Sequence, residues 1–342
     1  MKTLRLLFAL ICSLGMTLSA HSLANDMKID VESYTIPAKD AGIDLYVRNK
    51  HPAEMKTFTP ERTLLYVHGA TYPSETAFDL ELGGFSWMDY IARQGYDVYL
   101  LDLRGYGRST RPAEMDQPAK DNAPIVKTET AVRDIEAVVE HILQRRGIEK
   151  LNLLGWSWGT TTMGSYAAQN PQRVNKLVLY APVWLRKEPL KLPPGTLPAY
   201  RTVTKDAAKQ RWLAAVPPDK VKGLIPDSWF EAWVDATFAT DPVGAQQTPP
   251  VLRAPNGVVD DIQNFWAAGK PKYDPAKITA PTLIVHAEWD QDTPAYMSQA
   301  LFPLLTNAKS KRYVVIGEGT HTVIMEKNRM QLFKQVQLFL DE

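Results

Sequence analysis

The stretch Gly155-Trp156-Ser157-Trp158-Gly159 constrains this chain more than any other. Just before it, residues 151–154 form a short apolar run of strand type. Just after it, residues 160–169 read as a helix. Strand, sharp turn and helix together hold a serine Oγ exposed on a strained elbow above a parallel sheet. The glycines are needed because the turn is tight and the helix packs close behind it. The five letters alone carry little weight, since about 0.1 such matches arise by chance in a chain of this length. A glycine-containing loop with an idle serine fits them equally well, so the rest of the chain has to decide.

The rest of the chain alternates. Residues 29–36 and 43–49 read as two strands joined by a turn through Asp40-Ala41-Gly42. Strand patterns follow at 63–67, 97–101, 176–180, 281–286 and 311–316, with helical patterns at 87–93, 128–146, 295–305 and 323–340. The helix at 128–146 is the clearest. Val132, Ile135, Val138, Val139, Ile142 and Leu143 share one face, and Gly147 closes it. In the helix at 323–340, Leu332, Phe333, Val336 and Phe339 are expected to face inward. Alternating strands and helices predict an α/β fold with a mostly parallel central sheet and helices on both faces.

Residues 185–275 break the alternation. They hold 13 of the 25 prolines, show no convincing strand, and carry Trp212, Trp229, Trp233 and Trp266. Helices are expected at 204–215, 227–238 and 257–268, the last with Asn256 as its cap and Gly269 as its stop. The expected organisation is a core of residues 25–184 and 276–342, with a helical cap of residues 185–275 inserted between two core strands. The tryptophans then pack cap on core, and some line a pocket where the two meet.

Length and composition set the remaining limits. A chain of 342 residues, 45% hydrophobic and 23% charged, supports one large domain with an insertion. A net charge of +1 gives no sign of nucleic acid or an acidic lipid surface as partner. Lys2 and Arg5, the apolar run 6–14 and the small-x-small site Ser22-Leu23-Ala24 read as a cleavable signal peptide over residues 1–24. The apolar run is too short to span a membrane. The only cysteine, Cys12, lies inside that signal, so no disulfide is expected in the mature protein. The expected location is the periplasm or the medium.

A serine hydroxyl needs an imidazole base, and the imidazole needs an anchoring carboxylate. In α/β folds these follow in the order Ser, acid, His. Of the six histidines, His21 falls in the signal, His51 in a polar turn region, His141 on the long helix and His286 in a strand, while His68 starts the turn after one. Only His321 lies in a loop beyond the last strand, so it is the expected base. For the acid, Asp290 is chosen, with Asp292 as a rival that could instead cap the helix after Pro294. The backbone N–H groups of Ala70 and Trp158 are the expected donors to an oxyanion. No His or carboxylate cluster has metal-ligand spacing, and no phosphate-cradling loop occurs, so no metal and no cofactor are expected.

His68-Gly69-Ala70, the run from Asp102 to Ser109 (Asp-Leu-Arg-Gly-Tyr-Gly-Arg-Ser), the elbow at Ser157, Asp290 with Pro294, and His321 together resemble the α/β-hydrolase fold family of serine hydrolases. The order matches throughout the mature chain apart from the cap. The resemblance implies a Ser157–His321–Asp290 triad, with the run from Asp102 to Ser109 as scaffolding beside the elbow. A serine nucleophile sets the chain apart from the family's haloalkane dehalogenases and epoxide hydrolases, which carry aspartate there. His-Gly-Ala differs from the His-Gly-Gly-Gly oxyanion loop of the hormone-sensitive-lipase-like branch. Gly-Trp-Ser-Trp-Gly looks like the elbow of proline iminopeptidases. The expected activity is cleavage of a small-molecule carboxylic ester through an acyl-enzyme. Amide cleavage of the iminopeptidase type, acyl transfer and a non-catalytic binding role are the alternatives. Tyr72, Trp156, Trp229 and Trp233 are the candidate substrate contacts. The loop 71–85 is expected to shape the pocket mouth, and its acids Glu75, Asp79 and Glu81 could meet a substrate amine.

Overall fold

The computed structural model describes residues 27–188 and 196–342. The signal segment, Cys12 included, lies outside the described residues. Ten strands are present among them: β1 (Ile29–Pro37), β2 (Asp44–Pro52), β3 (Thr63–Val67), β4 (Asp97–Leu101), β5 (Leu151–Trp156), β6 (Val174–Tyr180), β7 (Tyr200–Thr204), β8 (Val251–Pro255), β9 (Thr282–Ala287) and β10 (Lys311–Ile316). Eight form one sheet in the order β1-β2-β4-β3-β5-β6-β9-β10. The β1–β2 and β2–β4 pairs are antiparallel, and every other pair in this sheet is parallel.

The central strands are mostly apolar because both faces of the sheet are covered. Successive side chains go to opposite faces. In β3, Leu65 and Val67 join one apolar cluster while Leu64 and Tyr66 join the other. In β5, Leu151 and Leu153 go one way and Leu154 and Trp156 the other. One face is covered by α3 (Thr128–Arg146), α4 (Trp158–Gln169) and α8 (Ala295–Leu304). The other is covered by α1 (Ser74–Phe78), α2 (Trp87–Ala92) and α9 (Met330–Asp341). The expected face of α3 is fully used: all six of its named apolar residues are buried, and Gly147 ends it at φ 66°. Each such side chain contributes roughly 1.5–3 kcal/mol on burial.

The segment between β6 and β9 holds α5 (Lys205–Leu213), α6 (Asp227–Phe238) and α7 (Gly257–Asp261). The last of these continues into a π-helical turn, Ile262–Trp266. Two expectations are corrected here. The segment does contain strands, since β7 and β8 pair antiparallel from Tyr200↔Pro255 to Thr204↔Val251. Tyr-Arg-Thr-Val-Thr is β-branched and aromatic, but the run is short and its partner lies some fifty residues on among prolines. Nor does the Asn256 side chain cap the helix after it. Its amide donates to the Pro198 carbonyl instead.

The final helix is also shorter than expected. A 3-10 turn, Val323–Met325, comes first, and the α-helix begins only at Met330. Between them the buried Glu326 turns back to accept from the Thr320 N–H and hydroxyl.

Candidate active site

The elbow is built as the glycines require. Ser157 sits at φ 57°, ψ −122°, a region few L-residues adopt and one that costs about 1–3 kcal/mol. Its backbone is held on both sides. The Ser157 N–H donates to the Tyr180 carbonyl at 2.9 Å, and the Thr160 hydroxyl donates to the Ser157 carbonyl at 2.6 Å. A Cβ on Gly159 would lie 2.5 Å from the Val67 carbonyl oxygen and 2.6 Å from that of His68. A Cβ on Gly155 would collide with the Gly159 backbone. The two glycines of the pattern therefore let α4 approach β3 and β5.

His321 is held from two directions. Its Nδ1 lies 2.8 Å from Asp290 Oδ2. Its carbonyl accepts from the Trp156 indole N–H at 3.0 Å and from the Tyr180 hydroxyl at 2.8 Å. Asp290 is buried, and Thr293 fixes it, donating its N–H to Oδ1 and its hydroxyl to Oδ2, both at 2.8 Å. A carboxylate only accepts, so Nδ1 carries the ring proton and Nε2 keeps its lone pair. Burial is the largest influence on the ring and disfavours its charged form. The Asp290 and Asp292 carboxylates outweigh that, and the His321 pKa lies above the ordinary imidazole value.

Asp292 does not cap α8. Its two carboxylate oxygens accept from Arg211 Nε at 2.9 and 3.0 Å. Burial pushes the Asp292 carboxyl up, but the Arg211 guanidinium and His321 bring it below the ordinary carboxylate range.

The turn after β3 is set by His68. The Leu103 N–H donates to its Nε2 at 3.1 Å, so the proton sits on Nδ1 and is donated to the Gly69 carbonyl at 2.7 Å. Burial lowers the His68 pKa to about 4, which keeps the ring neutral. The Gly69 carbonyl and the Ala70 N–H belong to one planar trans peptide, so fixing the first aims the second the opposite way. The N–H groups of Ala70 and Trp158 have no acceptor among the described residues. The Asp102–Ser109 run braces this turn. Asp102 Oδ1 accepts from the Ser74 N–H at 2.7 Å and Oδ2 from the Arg108 N–H at 3.1 Å, and the Tyr106 hydroxyl donates to the Ala70 carbonyl at 3.0 Å.

One cavity joins these parts. Gly69, Ala70, Thr71, Tyr72, Trp156, Ser157 and His321 line it from the core, with Asp292 and Thr322. Ala208, Arg211 and Trp212 line it from α5. Its empty space is about 430 Å³, counting the part open to solvent. Of the expected substrate contacts, Tyr72 and Trp156 are on the wall. Trp229 and Trp233 are not. Trp229 packs against Gly83 and under the Arg329 guanidinium, 4.5 Å from its ring centre. Trp233 is wholly buried between Tyr72, Trp212 and Phe230. The inserted tryptophan that does reach the cavity is Trp212. Its indole N–H donates to Glu326 Oε1 at 2.8 Å.

The acids of the loop 71–85 are occupied elsewhere. Asp79 pairs with Arg48 and Lys50, and Glu75 with Arg108. Glu81 does not line the cavity. Among the described residues, no group of three His, Cys, Asp or Glu side chains is placed to hold a metal ion. No described helix is long and apolar enough to cross a membrane.

A mostly parallel sheet with a serine elbow between β5 and α4, and a carboxylate-anchored histidine beyond the last strand, defines an α/β hydrolase. The α/β hydrolase fold family model matches residues 62–328, and the chain belongs to that family. Curated relatives match in part. "Abhydrolase domain-containing protein abhd-5.2" of Caenorhabditis elegans is 33% identical over 33% of this chain and 24% of its own length. "Lipase member K" of Homo sapiens is 25% identical over 44% of this chain and 37% of its own. "Proline iminopeptidase" of Xylella fastidiosa is 29% identical over 38% of this chain and 37% of its own. The chain thus matches well under half the length of each. Among solved structures, a serine hydrolase involved in carbazole degradation (CarC enzyme) superposes with a TM-score of 0.60 at 17% identity. That match covers 91% of this chain and 99% of the other, and it shows the shared fold.

Proposed function

We propose that this protein is a serine hydrolase that cleaves small carboxylic esters through an acyl-enzyme. The observation that carries the reading is the 2.8 Å contact of His321 Nδ1 with Asp290, in a cavity that Ser157 also lines. Ser157 Oγ attacks the acyl carbonyl as its proton passes to His321 Nε2. The Ala70 and Trp158 N–H groups receive the negative charge that develops on the carbonyl oxygen. The intermediate collapses, the bond to the alcohol oxygen breaks, and His321 returns the proton to it. Water then attacks the acyl-enzyme with His321 again as base, releasing the acid and restoring Ser157.

Ester rather than aminoacyl-amide cleavage is favoured by the charges around the cavity. Of the loop acids that could greet a substrate amine, Asp79 and Glu75 are bound to Arg48, Lys50 and Arg108, and Glu81 lies off the cavity, while Asp292 is bound to Arg211. Tyr72, Trp156, Ala208 and Trp212 leave an apolar wall suited to a small acyl or aryl group. Export is part of the same reading. It rests on the charged start, apolar run and small-x-small site of residues 1–24. Osmotic-shock fractionation with N-terminal sequencing tests it, and uncleaved protein confined to the cytosol rejects it.

The deciding experiment is fluorophosphonate labelling beside turnover of chromogenic esters of increasing acyl length. Stoichiometric labelling at Ser157 is expected, with turnover lost by roughly 10⁴–10⁶-fold in Ser157→Ala. Near-normal turnover by that variant refutes the assignment. Faster cleavage of matched aminoacyl amides than of esters moves the reading to an iminopeptidase-type amidase.

A further inference from the structure

Arg201, at the start of β7, is a cation with no carboxylate partner among the described residues. All the acceptors around its guanidinium are neutral. Nη2 donates to the Ala70 carbonyl at 2.6 Å and to the Thr71 hydroxyl at 2.9 Å. Nη1 donates to the Pro255 carbonyl at 2.6 Å and lies 3.3 Å from Asn256 Oδ1. The inserted segment thus reaches over the core and grips the residue whose N–H faces the cavity beside Ser157. Holding a half-buried cation among carbonyls is costly, and desolvation lowers the pKa of this guanidinium. An apolar residue would join β7 to the core without that cost. The placement is accounted for if the loop itself is what has to be held.

The geometry says how. The peptide before Ala70 is fixed by His68 through the Gly69 carbonyl. The peptide after Ala70 is fixed by Arg201, with the Tyr106 hydroxyl on the same carbonyl. With both flanking planes set, the two soft dihedrals of Ala70 have no freedom left. Its N–H is then aimed before any substrate arrives, which is the condition for stabilising charge in the transition state. We propose that Arg201 is a positioning residue for the Ala70 N–H, so that the inserted segment sets the oxyanion site as well as roofing the cavity. This rests on the serine-hydrolase reading above.

The test uses Arg201→Gln in the full chain, beside Ser157→Ala, with a small chromogenic ester. A misaimed donor weakens the transition state more than the bound substrate. The expected result is a fall in kcat of about 10- to 100-fold with KM changed less than about threefold. Fluorophosphonate labelling slows in parallel, because the phosphonyl oxygen uses the same donors. Millimolar guanidinium chloride restores part of the rate, and sodium chloride at equal concentration does not. A merely structural role would move neither the kcat-against-KM split nor the rescue. Folded Arg201→Gln with the wild-type kcat overturns the proposal, as does a loss shared equally by kcat and active-site titre. If Arg201→Gln does not fold, Arg201→Lys decides. A lysine ammonium lacks the rigid fork of donors that ties the Ala70 carbonyl to the Pro255 carbonyl, so a reduced kcat at unchanged KM is expected, and a full kcat overturns the proposal. Turnover that survives Ser157→Ala is a different failure. It removes the serine-hydrolase reading, and this proposal falls with it.

Discussion

On the sheet side of the cavity, Ser157 is placed by backbone. The Tyr180 carbonyl, the Thr160 N–H, the close approach of Gly159 to β3 and the turn after β5 set its Cα, with the Thr160 hydroxyl as the side chain that joins them. On the inserted side, the loops around the same cavity are met by side-chain heads: Arg201 on Ala70, Trp212 on Glu326, and Arg211 on Asp292. The first arrangement fails when a carbon is added and the second when a donor is removed. Rigidity of the elbow serine is thus written into glycines, while the inserted side meets the cavity loops through polar side-chain pairs, beside backbone bonds such as Gly257 N–H to the Ile125 carbonyl and Lys327 N–H to the Leu224 carbonyl. Each pair ends on or beside a loop that carries a functional group. Ala70 faces the cavity itself, Glu326 holds the residue before His321, and Asp292 stands two residues from Asp290.

Four substitutions can break or sharpen that contrast. The largest effect is expected from Gly159→Ala. The added methyl meets two backbone oxygens that cannot rotate away, so the β3–α4 packing has to open. A loss of about 3 kcal/mol in stability by urea denaturation is expected, with the elbow serine no longer labelled. Wild-type stability would mean that the elbow is not backbone-limited.

Trp212→Phe keeps the ring and removes one donor to the buried Glu326. A loss of about 1–2 kcal/mol is expected in the same assay. Burial already raises the Glu326 carboxyl, so protonating it by acid should narrow the gap between variant and wild type. A gap that widens in acid contradicts the pairing.

The smallest effects come from the Arg211–Asp292 pair, and they have opposite signs. In the proposed mechanism His321 works only when neutral, and its pKa lies above the ordinary value, so kcat/KM is expected to rise with pH through a midpoint on the alkaline side of an ordinary imidazole. Asp292→Asn removes a carboxylate that favours the charged ring, and its midpoint moves to lower pH. Arg211→Met removes a cation that disfavours it and leaves Asp292 unpaired, so its midpoint moves higher. Shifts in the same direction would separate the pair from the base.

What could be read in advance follows from how local each signal is. The face of α3, the strand before Ser157 and the glycines around it are encoded within a few residues, and each element stands where its pattern put it. The order elbow, acid loop, histidine loop likewise needed only succession along the chain. The β7–β8 pair needed knowledge of a partner some fifty residues away. The break before α9 arose because Glu326 is spent on Thr320 rather than on a helix. Of the four tryptophans in the insertion, the sequence pointed to Trp229 and Trp233 as substrate contacts, yet it is Trp212 that meets the cavity. Trp229, Trp233 and Trp266 are consumed by packing, because the rotation of a short helix about its axis is set by the surface it lands on. Arg201 gave no sign at all. A lone arginine in a polar strand reads as solvated surface until the carbonyl of Ala70 is found beneath it.

Trp156 is the residue before the serine in the chain, and its indole N–H holds the carbonyl of His321. The two are 165 positions apart in sequence yet share one mechanical frame, so β5 cannot shift without carrying the histidine with it. Their spacing is buffered against loop motion in a way that two independently mounted groups would not be. Warming should therefore leave activity intact until the sheet itself opens. Inactivation and loss of ellipticity should trace one curve, and an enzyme that dies well before it melts would show that the frame is not shared.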